Sequence, residues 1–189
     1  NKRKSIRSFE NKQVAEKILK ELKTKATKAP SASNRQPWIF YFICSKKLRN
    51  KISNILIETL YKSKDEINSK PPHLRKVIYD FYADLGGCQN IIFVFRPVFE
   101  NEALHIKPND IASISLAIEN IMLSAVEKDL GTCWIGSFNG KENEKKLKKI
   151  LKVPKNQQLV AGFLIGYPKR GYTPLIRKKK PLTEVMKFV

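Results

Sequence analysis

Three short apolar runs limit the folds open to this chain: Ile39-Phe40-Tyr41-Phe42-Ile43, Ile91 to Phe95 and Leu159 to Ile165. The first has no polar alternation, the pattern of a strand covered on both faces. Between the runs, apolar residues recur at helical spacing. Val14, Ile18, Leu19, Leu22 and Ala26 place a helix over Val14 to Lys28, ended by Pro30. Leu48, Ile52, Ile55, Leu56 and Leu60 place a second helix. Val77, Ile78, Phe81 and Leu85 place a third, stopped by Gly86-Gly87. Lys62 to Pro72 and Phe99 to Asn109 read as polar loops. Asp110 is positioned to cap a long helix over Ile111 to Lys128. Thr132 to Gly136 reads as strand then turn, and Lys141 to Lys152 as a charged helix with Leu147, Ile150 and Leu151 inward.

At 189 residues this is most simply one domain with a real core, and 42% apolar residues exclude a disordered chain. No apolar run is long enough to span a bilayer, so no membrane role is expected. Cys44, Cys88 and Cys133 are odd in number and far apart, and no C-x-x-C pair exists. They read as small core residues in a reducing cytoplasm, with no metal site. His73 and His105 sit in polar, loop-like surroundings and read as surface residues.

The formal net charge is +20, from 37 Lys+Arg against 17 Asp+Glu. Such a charge attracts polyanions. The lysines are spread along helix faces, and the aromatics lie in apolar runs rather than among the basic residues. Most of the charge therefore reads as solvated surface with no specific nucleic-acid partner. A basic nucleic-acid-binding protein is the alternative it raises.

Two polar stretches stand out. Ala29-Pro30-Ser31-Ala32-Ser33-Asn34-Arg35-Gln36-Pro37-Trp38 has prolines at both ends, so it continues neither the helix before it nor the strand after it. Its hydroxyls and carboxamides can face a flat polar heterocycle, or the loop is an ordinary connection. In Arg3 to Phe9, Arg3, Ser5 and Arg7 alternate and point to one side of an extended chain. Two guanidinium groups flanking a hydroxyl suit a phosphate monoester; a loose basic terminus is the other reading. Gly136 frees the backbone for close approach to a ligand. Trp134 is equally a ligand contact or a core anchor. No G-x-G-x-x-G or P-loop motif is present.

Four stretches, in order, resemble the nitroreductase-like flavoprotein family: Arg3-Lys4-Ser5-Ile6-Arg7-Ser8-Phe9, the Ala29 to Trp38 loop, Gly131-Thr132-Cys133-Trp134-Ile135-Gly136-Ser137-Phe138, and Gly166-Tyr167-Pro168 with Lys180-Pro181-Leu182-Thr183-Glu184-Val185. Lys4 stands where the family often has Arg. The resemblance implies an α+β three-layer sandwich, a mixed and mainly antiparallel sheet flanked by helices, that forms a homodimer across the long helix. A short helix commonly precedes the family's first motif, so an N-terminal piece is expected before Arg3.

FMN is the implied cofactor. Arg3, Lys4, Ser5 and Arg7 would hold it, with Arg177 and Lys179 joining the phosphate site. Pro30, Ser31, Ala32, Ser33, Asn34 and Gln36 would meet it from the loop, and Trp134, Ile135 and Gly136 from its redox-active face. The implied chemistry is ping-pong hydride transfer from NAD(P)H to a small electron-poor acceptor, a nitro compound or quinone. No side chain is assigned as a proton-transferring catalyst. The middle region would cover the site, with Tyr79, Phe81 and Tyr82 as candidate lining and Phe81 more a core residue. Residues 170–189 would extend onto the partner subunit. The same fold also serves flavin-binding relatives that dehalogenate, destroy flavin or sense ligands.

Overall fold

The computed structural model describes residues 3–175 and 178–188. Its elements run α1 (Glu16–Ala26), β1 (Ile39–Ile43), α2 (Lys46–Lys62), α3 (Lys64–Asn68), α4 (Pro72–Asp84), β2 (Asn90–Pro97), α5 (Ile106–Val126), β3 (Gly131–Trp134), α6 (Lys141–Leu151), β4 (Gln157–Gly166) and α7 (Leu182–Val185). The sheet has the order β1-β2-β4-β3, and every strand pair is antiparallel. The parallel contact of the expected mixed sheet is an isolated bridge from Ser5 to Thr132.

Strand alternation sends the apolar residues of β2 to two cores. Ile91, Phe93 and Phe95 face α2 and α6, where Ile52, Leu56 and Leu147 cover them. Ile92 and Val94 face α1 and α5, against Leu22, Ile114, Ile118 and Ile121. All five are fully buried, as expected of a central strand with helices on both sides. The register between β2 and β4 shifts between Val94 and Phe95. Leu159 thereby joins the α2/α6 core and Ala161 the other. The edge strand β1 differs from expectation: Ile39 to Phe42 are only half-buried, and Ile43 alone is buried.

Several boundaries also differ. Val14 is buried but precedes α1, and its amide donates to Asn90 Oδ1 at 2.9 Å. The 62–72 region contains the short helix α3. Helix α4 buries no side chain completely. It leaves Leu74 and Val77 exposed and rests on half-buried Phe81 and Tyr82. His73 belongs to α4 rather than to a loop, and both histidines are exposed.

Helix α5 starts at Ile106. Pro108 lies in its first turn, where an amide has no intrahelical partner to lose. Asp110 is therefore not the cap; it lies inside the helix and is 1% exposed. One face of α5, from Ser113 and Ile114 to Ala125, is buried. The other face exposes Ile111, Leu116 and Leu123. No described helix is long and apolar enough to cross a membrane.

Candidate functional site

The N-terminal segment runs as extended chain beside β3. Ser5 bridges Thr132 in parallel sense, and the Ile6 amide donates to Thr132 O at 2.9 Å. Phe9, 4% exposed, bridges Pro168 and anchors the segment, while the Glu10 amide donates to Tyr167 O at 2.9 Å. The crossing at the end of α4 needs glycine. Gly86 has φ +65°, and a Cβ there would collide with Arg7 O; the Phe9 amide donates to Gly86 O at 2.7 Å.

The parallel bridge directs the chain from Ser5 to Arg7 the same way as β3 runs from Thr132 to Trp134. Two of the predicted site groups thereby come together, the basic segment and the 134–136 turn. Arg7 and Lys4 are exposed, and Arg3 is half-buried 3.8 Å from Glu119 on α5. The Arg7 amide donates to the Tyr172 hydroxyl at 3.3 Å. Burial pushes the Cys133 thiol up, and Arg7 partly opposes this.

At the turn, Trp134 is 40% exposed and so is not a core anchor. An added Cβ at Gly136 would meet nothing within 4 Å. The resemblance implies a backbone rather than a side-chain contact at Ile135. Its side chain is 2% exposed in the core, and its amide is spent on Gly162 O at 2.9 Å.

Two of the groups that brace this turn, Asn143 and Thr59, carry no signal in the sequence, whereas Tyr82 is a candidate lining residue. The Tyr82 hydroxyl lies 3.0 Å from Ser137 Oγ, and Asn143 Nδ2 donates to Ser137 O at 2.6 Å. Asn143 Oδ1 in turn accepts from Thr59 at 3.0 Å. Tyr79 instead pairs with Tyr61. A cleft of about 1080 Å³ opens between α4 and residues 169–175, lined by Arg7, Phe9, Leu74, Val77, Phe81 and Tyr172 among others.

The Pro30–Gln36 loop sits elsewhere in the chain, at the N-terminal part of α5. The Ala32 amide donates to Ser113 Oγ at 3.3 Å, and Arg35 Nε donates to Asp110 Oδ1 at 3.3 Å. Pro30, Ser33, Asn34 and Gln36 are exposed, and Ser31 and Ala32 are half-buried. From Asp110 and Ser113 to Glu119, where Arg3 reaches α5, is about 9–14 Å along the axis at 1.5 Å per residue. The chain therefore holds the loop and the basic segment at separate stations of one helix. Lys179 is exposed and makes no hydrogen bond or ion pair among the described residues. Arg177 lies outside the described residues.

A buried ion cluster backs the loop. Arg96, fully buried, donates through Nε to Asp110 Oδ2 at 3.1 Å and pairs with Glu102 through both terminal nitrogens. Glu102, through its hydrogen bond, holds the Arg96 guanidinium above its ordinary range; reciprocally, Arg96 holds the Glu102 carboxyl below its own. Arg96 and Asp110 were absent from the sequence-based site. The available signal was a charged residue on an otherwise apolar stripe of α5 and another at the end of an apolar strand.

The nitroreductase family model matches residues 1–167. The chain belongs to the nitroreductase family. Family membership supports an oxidoreductase enzyme. Among relatives, the chain is 26% identical over 183 residues to YfhC of Bacillus subtilis, a provisionally assigned NAD(P)H nitroreductase, covering 96% of this chain and 88% of that one. Human iodotyrosine deiodinase 1 is 25% identical over 202 residues, covering 98% of this chain and 65% of the human one. The Mycobacterium smegmatis FMN-dependent nitroreductase NfnB, solved with NADPH, shares the fold. Its TM-score is 0.77 at 16% identity, over 99% of this chain and 94% of that one.

Proposed function

We propose that this nitroreductase-family chain is an FMN-dependent oxidoreductase that takes hydride from NAD(P)H and passes it by ping-pong turnover to a small electron-poor acceptor, a nitro compound or quinone. The observation that carries the reading is the Ser5–Thr132 bridge, which sets the cationic segment beside the exposed turn at Trp134 and Gly136. The residues fit the group. The open space at Gly136 admits a flat ring against backbone, and Arg3, Lys4 and Arg7 supply charge for its phosphate. FMN, when bound, supplies both the acceptor and the donor of hydride.

The chain's own residues then bind and orient. Ser5 offers a hydroxyl between two guanidinium groups. Tyr82 and Asn143 hold Ser137, so the backbone beside Gly136 keeps its direction. Ser31, Ser33, Asn34 and Gln36 present hydroxyls and carboxamides. None of these is required to move a proton.

The full site needs a second copy. The outward stripe of α5, with Ile111 38%, Leu116 49% and Leu123 43% exposed, runs past both the loop's contacts at Asp110 and Ser113 and the Arg3 contact at Glu119. The exposed Leu182, Val185, Met186 and Phe188 of the C-terminal segment have the same apolar character. A homodimer of single-domain chains, with residues 170–189 reaching the partner, covers both surfaces. The reading places the enzyme in the cytoplasm.

The test is the visible spectrum of the purified protein and of its heat-released supernatant. Flavin absorbance and released FMN are expected, together with dimer mass by light scattering. Protein that is colourless and takes up no added FMN would overturn the reading.

The likeness to iodotyrosine deiodinase favours one second reading, a flavin-binding relative acting on halogenated substrates. Anaerobic screening of halogenated against nitro and quinone acceptors separates the two. Nucleic-acid binding gains no such support, since aromatic pairs such as Phe93–Phe138 and Tyr41–Phe95 belong to the core.

A further inference from the structure

The loop from Ser31 to Gln36 has a shape that its own sequence does not favour. Ser33, Asn34 and Gln36 have φ of 49°, 52° and 48°. Three side-chain-bearing residues in the left-handed region disfavour the loop relative to open conformations. Its internal bonds are at the surface: the Asn34 amide to Ser31 O at 2.9 Å, the Arg35 amide to Ala32 O at 3.0 Å, and the Gln36 amide to Ser31 Oγ at 3.0 Å. Water competes for all of them, so they do not by themselves hold three unfavourable torsions.

Two side-chain bonds tie the loop to the body, at Ser113 and at Asp110. The second is the stronger, because both partners are charged. Asp110 is also the better platform. It is 1% exposed, and its other oxygen is fixed by Arg96, which Glu102 and Gln158 hold in turn. Both Asp110 oxygens are thereby engaged, Oδ2 by Arg96 and Oδ1 by Arg35, which leaves the side chain little room for a second position. Residues 33 to 36 are all exposed, but the Arg35 side chain, 31% exposed, reaches buried Asp110, whereas Ser33, Asn34 and Gln36 make no side-chain bond to the body among the described residues. The labour is divided: Arg35 grips the core, and its neighbours stay open to solvent.

We infer that Arg35 and Asp110 are positioning residues, whose ion pair holds the Ser31–Gln36 loop in its ligand-ready form without touching the ligand. That the ligand is a flavin rests on the function proposed above; the loop's dependence on Arg35 does not.

The test uses the full chain as Arg35→Ala and Arg35→Lys. Arg35 is the residue to change, because Asp110→Asn would also disturb buried Arg96. Backbone ¹⁵N order parameters of Ser33, Asn34 and Gln36 in flavin-free protein report the loop directly. They are expected to fall from about 0.85 to below about 0.6 in Arg35→Ala, with β2 and β4 unchanged. FMN Kd is expected to rise about tenfold or more, and Arg35→Lys to recover part of both effects. Loop order parameters in Arg35→Ala equal to those of the unaltered protein would overturn the inference, whatever the FMN result. A loosened loop in a protein that never binds FMN would uphold the positioning role and sink the flavin assignment.

Discussion

Arg96 Nε donates to Asp110 Oδ2 at 3.1 Å with both side chains out of solvent, so the end of β2 and the start of α5 are joined by a desolvated ion pair. Such a pair adds little over a well-packed apolar one, but halving it is costly. Arg96→Leu leaves buried Asp110 with only the partly exposed Arg35 as a charged partner and is expected to lower stability by about 3 kcal/mol, read by urea unfolding. A loss under about 1 kcal/mol would mean that the buried charges are compensated in another way.

Glu102 gives the cluster a pH signature. Arg96, mainly through its hydrogen bond, holds the Glu102 carboxyl below its ordinary 4.5. A carboxyl with a depressed folded value adds stability that is complete above the unfolded value and is lost as pH falls through the folded one. Stability should therefore fall below about pH 4.5, and Glu102→Gln should flatten that decline while lowering stability at neutral pH. Thermal melts from pH 3 to 7 measure both. Identical profiles for the two proteins would refute the assignment.

Gly162 on β4 lies against an aromatic pair. An added Cβ would sit 2.5 Å from Phe138 Cδ2 and 2.7 Å from Phe93 Cε1. Both rings are fully buried, with centroids 4.7 Å apart, so neither yields easily. Gly162→Ala is expected to cost about 1–3 kcal/mol through overpacking, seen as a lower Tm. An unchanged Tm would show that the rings move freely.

Cys88 is fully buried, and burial pushes its thiol up to about 12. At pH 8 its thiolate fraction is then about 10⁻⁴, too small for ready attack. Thiol titration of the folded protein should label Cys44 first, because it is only half-buried. Cys88 and Cys133 should react on unfolding. Fast labelling of Cys88 under native conditions would contradict the packing described.

Local patterns carried much of the fold. The run Ile39 to Ile43 named β1 to the residue, because five consecutive apolar or aromatic side chains suit little else. The spacing of Leu48 to Leu60 found α2, and Lys141 began α6 as expected. Reading failed where a residue's meaning depended on distant partners. Asp110 looks like a helix cap because aspartate caps helices; that it faces Arg96 and Arg35 depends on two chain segments elsewhere. Trp134 reads equally as a ligand contact or a core anchor for the same reason, since exposure belongs to the whole molecule.

The basic segment, the polar loop and the glycine-bearing turn were all visible in the sequence, because each needs particular residue types at short spacing. Their placement was not. The Ser5–Thr132 bridge brings the first to the third, and the Arg35–Asp110 pair ties the second to the buried end of α5. Both contacts join residues at least 75 positions apart. A sequence lists such groups in chain order, but the cost of burying charge and the gain from pairing it arise only when the folded chain removes water from between them.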